Sequence, residues 1–162
     1  MYSNEEKRKL DEGYIELFKR NNFKWFITLT YKDSSSRKIN TKTVKKDVYN
    51  LYNRLHRKFF GKHYSNKENL DKKKINMVTS IEYGGNENLH IHILLSDVEN
   101  GISKVEGMTT CEVLVDIWKK KIAKEYINVD FREIYDIDNL GFYILKESGI
   151  DYSNILIDQM NI

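Results

Sequence analysis

Two histidines, His90 and His92, stand one residue apart in the apolar stretch LHIHILLS. A strand sends alternate side chains to the same face, so both imidazoles point one way. Two imidazoles side by side are good donors for a single divalent metal. Alone, such a pair is equally what a half-exposed sheet face carries for ordinary hydrogen bonding. Glu82 lies on the preceding strand-like stretch, INMVTSIEY, across a turn that contains Gly84-Gly85. Its carboxylate shares the face of the histidines unless a bulge in the turn shifts the parity. Two imidazoles and one carboxylate, with positions left open, make a catalytic metal site. Mn²⁺ or Mg²⁺ suits that set when phosphate oxygens complete the shell, and Zn²⁺ is chemically possible.

The third chemical element is GFYILKE. On a helix, Tyr143 and Lys146 are three apart and close on one surface. A phenol is a poor nucleophile at neutral pH, because its ordinary pKa is near 10. A metal-polarised phosphate and a nearby cation make it competent. Tyr143 is one of 11 tyrosines, so its type alone also fits packing of a helix on a sheet.

These groups need elements to hold them. Residues 4–20 place Leu10, Tyr14, Leu17 and Phe18 at helical spacing, and Asn21-Asn22 form a stop. Lys24–Tyr31 is aromatic and β-branched, as a buried strand is. Residues 41–60 carry one apolar helical stripe, with Thr41 or Thr43 available as a cap. Residues 75–83 and 89–96 form a hairpin. A helix follows at 110–124, a strand at 126–135, and a short helix at 138–147 with Asp138 near its cap. The form of 150–162 is open.

After the first helix the order is β-α-β-β-α-β-α. Two right-handed crossovers on one antiparallel sheet give an α+β, ferredoxin-like split βαβ fold, with helices packed on a central antiparallel sheet. At 162 residues the chain has the length of one domain. Residues 1–22 read as an N-terminal helical extension and 148–162 as a C-terminal tail.

Lys and Arg number 27 and Asp and Glu 24, so the chain is nearly neutral. The balance is uneven. Residues 1–80 hold 20 basic and 9 acidic side chains, a net +11, and residues 81–162 a net −8. A basic half can attract phosphates, although charge alone is as often solvated surface. Arg37, Lys38, Lys42, Lys45 and Lys46 are the candidate DNA contacts. No apolar run approaches 18 residues, which excludes a membrane helix. The single cysteine, Cys111, excludes an internal disulfide and a CxxC metal site. A reducing cytoplasm is the expected compartment.

The combination resembles the HUH endonucleases, specifically the Rep-type rolling-circle replication initiators. Their first motif, a strand of FxLT character, is matched by Phe26-Ile27-Thr28-Leu29-Thr30. The HUH strand is matched by His90-Ile91-His92, and YxxK by Tyr143-Ile144-Leu145-Lys146. The acidic residue before the HUH strand is matched by Glu82. The resemblance covers about residues 24–147, and its three motifs stand in the family's order. In conjugative relaxases the tyrosine precedes the HUH strand.

The resemblance implies an enzyme that nicks single-stranded or hairpin origin DNA. Tyr143 would become joined to the 5′ phosphate, leaving a free 3′-OH, and the same site would rejoin strands. His90, His92 and Glu82 would ligate the metal. Lys146 would position the phosphate or the metal, or steady the phenolate. Thr28 and Thr30 match the first motif with no assignable chemistry. Many relatives carry a helicase after the nuclease. A chain of 162 residues is then a stand-alone nuclease, a fragment, or a borrower of a host helicase. Two other readings stay open: a single-tyrosine HUH transposase, and a non-catalytic ferredoxin-like nucleic-acid-binding module. Divalent metal binding separates the enzymes from the module.

Overall fold

The structure is a computed structural model. It describes residues 3–31, 39–64, 74–83, 89–98, 105, 107–122, 127–147 and 154–157. In chain order these form α1 (Asn4–Arg20), β1 (Trp25–Tyr31), α2 (Thr41–Phe60), β2 (Met77–Tyr83) and β3 (Leu89–Leu95). Then follow α3 (Thr110–Ile117), β4 (Ile127–Glu133), α4 (Ile137–Glu147) and β5 (Ile155–Leu156). The strands make one sheet in the order β4-β1-β3-β2-β5. Every neighbouring pair is antiparallel. The first four strands carry the split βαβ order expected from the sequence. The open tail contributes β5, which lines the β2 edge by pairing Ile155 with Ser80.

The sheet has two unlike faces. One is apolar throughout: Ile27, Leu29, Ile91, Ile93 and Met77 pack under Val44, Val48, Leu51 and Leu55 of α2 and Val113 and Leu114 of α3. Those helices are the two crossovers. The opposite face is covered over only part of its area. Phe26, Val78 and Leu94 pack there with Ile15 and Phe18 of α1 and Ile144 and Leu145 of α4.

Gly141 lets α1 and α4 come close. A Cβ at that position would meet Ile15 Cγ1 at 3.2 Å and Phe18 Cδ2 at 3.3 Å. Lys19 and Asp138 add an ion pair across the same seam at 2.7 Å, though half-exposed pairs contribute little.

Helix ends differ from expectation in three places. Asn40, not Thr41 or Thr43, caps α2 by accepting from the Thr43 N–H. Asp136, not Asp138, caps α4 by accepting from the N–H groups of Asp138 and Asn139. Both replacements are short polar side chains that reach the bare first-turn donors. The helix expected over 110–124 leaves α geometry at Ile117 and continues as a wide π turn, Trp118–Ile122. No helix among the described residues is long and apolar enough to cross a membrane.

A buried histidine ties α2 to the approach of β2. His56 is 1% exposed. Its Nδ1–H donates to the Tyr52 carbonyl at 3.0 Å, and its Nε2 accepts from the Ile75 N–H at 3.1 Å. Burial pushes its pKa down to about 4. The folded chain therefore keeps it neutral where the unfolded chain, titrating near 6.5, gains a proton. This contribution is complete above pH ~6.5 and is lost as pH falls from there toward 4. Between pH 7.5 and 5 the linkage amounts to about 2 kcal/mol. Urea unfolding at the two pH values should show the parent losing that much more than His56→Gln, which keeps one donor and one acceptor. Equal losses in the two proteins would remove His56 as the cause.

Candidate functional site

Strand register writes the uncovered face as rows. Thr28 of β1 stands opposite His92 of β3 on one side and Asp130 of β4 on the other. His92 in turn stands opposite Ser80 of β2. In the next row Asn128, Thr30, His90 and Glu82 follow one another across four strands. The pairing of β2 with β3 runs unbroken from Met77 to Tyr83. Glu82 therefore keeps the parity that a bulge would have spoiled, and it shares the histidine face.

The side chains are joined by hydrogen bonds. Thr28 Oγ1 is 3.1 Å from His92 Nδ1, and Thr30 Oγ1 is 3.0 Å from His90 Nδ1. His92 Nε2 is 2.8 Å from Glu82 Oε2. Burial holds His92 below its ordinary pKa, and the Glu82 carboxylate pulls part of the way back up. The ring is then neutral at neutral pH. Facing a carboxylate, it carries its proton on Nε2, so Nδ1 accepts from the Thr28 hydroxyl.

Tyr143 of α4 closes the group from above. Its ring meets His92 edge-on at 5.7 Å and Phe26 edge-on at 6.2 Å. Phe26 and His92 are themselves stacked at 5.6 Å. Tyr143 is still 43% exposed, so a substrate can reach its ring edge. Asp136, Gly141 and α1 fix where α4 lies, and α4 fixes Tyr143.

Sequence reasoning named Glu82, His90, His92 and Tyr143, and the structure brings these four together. The backbone of Lys146 lies one turn further along α4, and its side chain is outside the described residues. Lys42, Lys45 and Lys46 are not brought to the group. They lie on α2, which covers the other face. Arg37 and Lys38 fall outside the described residues.

Three residues were missed or left without a role. Thr28 and Thr30 each hold an imidazole by Nδ1. Arg132 brings a guanidinium over the Phe26 ring, 5.1 Å from its centroid. The available signal was parity: Thr28 and Thr30 share the period of Phe26 on a strand that the split βαβ order puts beside the HxH strand.

Among the described residues no group of three His, Cys, Asp or Glu stands spaced to hold a metal ion. Glu82 is closed onto His92 Nε2, the atom that would itself ligate. The donor chemistry nevertheless fits a divalent ion. Both imidazoles are held from behind at Nδ1, as ligating histidines are. One carboxylate is at hand. Ser80 Oγ, on the same face, is buried with no hydrogen-bond partner among the described residues. His90, His92 and Glu82 could hold the ion once the proton between Glu82 and His92 has left.

The threonines carry a direct expectation. Thr28→Val and Thr30→Val keep shape and remove the hydroxyl. Each should weaken Mn²⁺ affinity roughly 10–100-fold in calorimetry, the scale for losing an outer hydrogen bond to a ligand, while Thr28→Ser retains it. Affinities equal to the parent's would show that the hydroxyls merely cover the sheet.

The family model described as replication-associated protein ORF2 matches residues 24–149. No curated protein and no solved structure matches the chain.

Proposed function

Since the chain belongs to the replication-associated protein ORF2 family, we propose that it is a DNA-nicking and joining enzyme that initiates rolling-circle replication. One observation carries this reading. A partly exposed phenol, Tyr143, lies against an imidazole that is already joined to a carboxylate and a hydroxyl on one sheet face.

In this reading the substrate is single-stranded or hairpin origin DNA. The Tyr143 oxygen attacks a backbone phosphorus and gives up its proton. A new O–P bond forms and the P–O3′ bond breaks. The departing 3′ oxygen takes up a proton and is left as a free 3′-OH. The 5′ phosphate stays joined to Tyr143, so the energy of the broken bond is kept for rejoining. Attack by a 3′-OH on the phosphotyrosine reverses each of these changes.

His90, His92 and Glu82 would hold a Mn²⁺ or Mg²⁺ ion, which when bound polarises a phosphate oxygen. Thr28 and Thr30 keep the imidazoles turned toward the open side of the face. Arg132 and Lys146 supply positive charge to a phosphate placed over Phe26 and Tyr143. Phe26 gives Tyr143 a rigid apolar wall, which limits the orientations of its oxygen.

The test is a covalent one. The protein is incubated with Mn²⁺ and a panel of origin-like single strands and hairpins, then denatured and run on a gel. A protein–DNA band supports the reading, and mass spectrometry should put the nucleotide on the peptide that holds Tyr143. Cleavage without a band would mean attack by water. Metal binding with neither cleavage nor band on any strand would favour a non-catalytic module.

A further inference from the structure

A second strongly basic concavity lies on the other side of the molecule. Its volume is about 940 Å³, and it opens between the second half of α2 and the π turn after α3. Arg54, Arg57, Lys58, Lys62, Lys120 and Lys121 line it. Asp116 is the one acid among its described lining residues, and it is paired with Lys120 at 2.6 Å. α2 and α3 cover the apolar face of the sheet, whereas His90, His92 and Tyr143 lie on the other. The concavity is therefore separate from the nucleophile.

Helix electrostatics account for part of this charge. Arg57 and Lys58 are in the last turn of α2, where cations complement the helix dipole. That leaves Arg54, Lys62 and the two lysines from another element. The π turn puts those lysines there. A single wide turn of this kind is rare and recurs at functional sites. Buried Trp118 anchors it, meeting the Tyr31 ring edge-on at 5.4 Å. Lys119–Lys121 then follow as exposed residues. Like charges held together with few acids repel, and that cost is relieved when an anion arrives.

Aromatic rings sit among the cations. Tyr49 lines the concavity and is 62% exposed. Tyr64 also lines it, its hydroxyl donating to Asn53 Oδ1. The stripe of α2 that holds Tyr49 and Arg57 also holds Lys42 and Lys46 one and two turns earlier. From Lys42 to Arg57 the track runs about 22 Å, at 1.5 Å per residue. Phosphate contacts need only the cations. An exposed ring between cations is what unpaired bases stack on.

We propose that this track binds single-stranded DNA, as a second site on the face opposite the nucleophile, for the strand flanking the nick. The proposal rests on the nicking reading for the identity of the ligand. A strand held on both faces wraps around the domain, so the released end stays near the protein while its 5′ end is joined to it.

The test uses the full chain without metal and a fluorescein-labelled dT30 strand, with anisotropy read from 50 to 300 mM NaCl. A variant with Arg54→Gln, Arg57→Gln, Lys120→Gln and Lys121→Gln should bind at least about tenfold more weakly at 100 mM. Its log–log salt slope should fall by about 0.7 for each phosphate that is no longer neutralised. Tyr49→Ala should weaken dT30 about fivefold or more and leave the slope unchanged, because stacking releases no counterions. Unchanged affinity and slope in the four-residue variant would overturn the proposal. So would a weakening seen only with a 30-base-pair duplex, which would make the track a duplex-binding surface. Adduct formation at Tyr143 is scored separately in the parent. Its failure counts against the nicking reading, whereas the dT30 result counts for or against the track.

Discussion

The Tyr143→Phe protein is expected to bind DNA and Mn²⁺ as the parent does, and to form no covalent adduct. The change removes one oxygen. The ring keeps its edge-on contacts with His92 at 5.7 Å and Phe26 at 6.2 Å, so stability should move by no more than about 1 kcal/mol. Nicking should fall by roughly 10⁶-fold, the scale for losing a covalent nucleophile. Tyr135 is the control on the same side of the sequence. It is 90% exposed just past the end of β4, away from the His92–Phe26 cluster, and its Phe variant should still form the adduct. The same holds for Tyr152→Phe. An adduct at the parent rate in Tyr143→Phe would sink the assignment. Cleavage without an adduct would shift the chemistry to water.

The second large effect concerns the histidines. His90→Ala/His92→Ala should lose Mn²⁺ binding by about 100-fold or more, since two of three ligands go at once. Nicking should fall with it. His92 is almost fully buried and stacked on Phe26, so alanine there leaves a hole and costs stability as well. His92→Gln separates the two consequences, because it fills most of the space and still meets Glu82. Calorimetry with Mn²⁺ and thermal unfolding are read on both. Parent-like Mn²⁺ affinity in the double variant would mean that no ion is held here. Lost affinity with nicking intact would mean that the chemistry does not need the ion.

Much of this arrangement was readable from the sequence, and the reasons differ by residue. His90 and His92 share a face because a strand's period is two, and no tertiary fact is needed. Glu82 depended on register across a turn, which period alone cannot fix. The sheet order followed from the element order, because right-handed crossovers leave few topologies. The caps were harder. Asn40 and Asp136 each lie one or more residues ahead of the residue expected, since several short polar side chains in a row compete for the same donors. The π turn left no sequence signal, as WKKKI reads equally well at the α period. Thr28 and Thr30 were legible as a motif and silent as chemistry until β1 and β3 were placed side by side. The basic track needed two helices far apart in sequence to meet over one sheet face.

The seam at Gly141 bears on how the protein can be divided. The family signature begins at residue 24, after α1 has ended. Yet Ile15 and Phe18 of α1 fill the space directly over Gly141 and beside Ile144, Leu145 and Phe26. A piece trimmed to the signature would expose that apolar floor to water, and the helix carrying Tyr143 would lose its backing. It should self-associate, and its phenol should wander. The smallest working unit therefore starts earlier than the recognisable one, and an engineer grafting this domain onto another protein should attach the linker ahead of Ser3 rather than at Lys24.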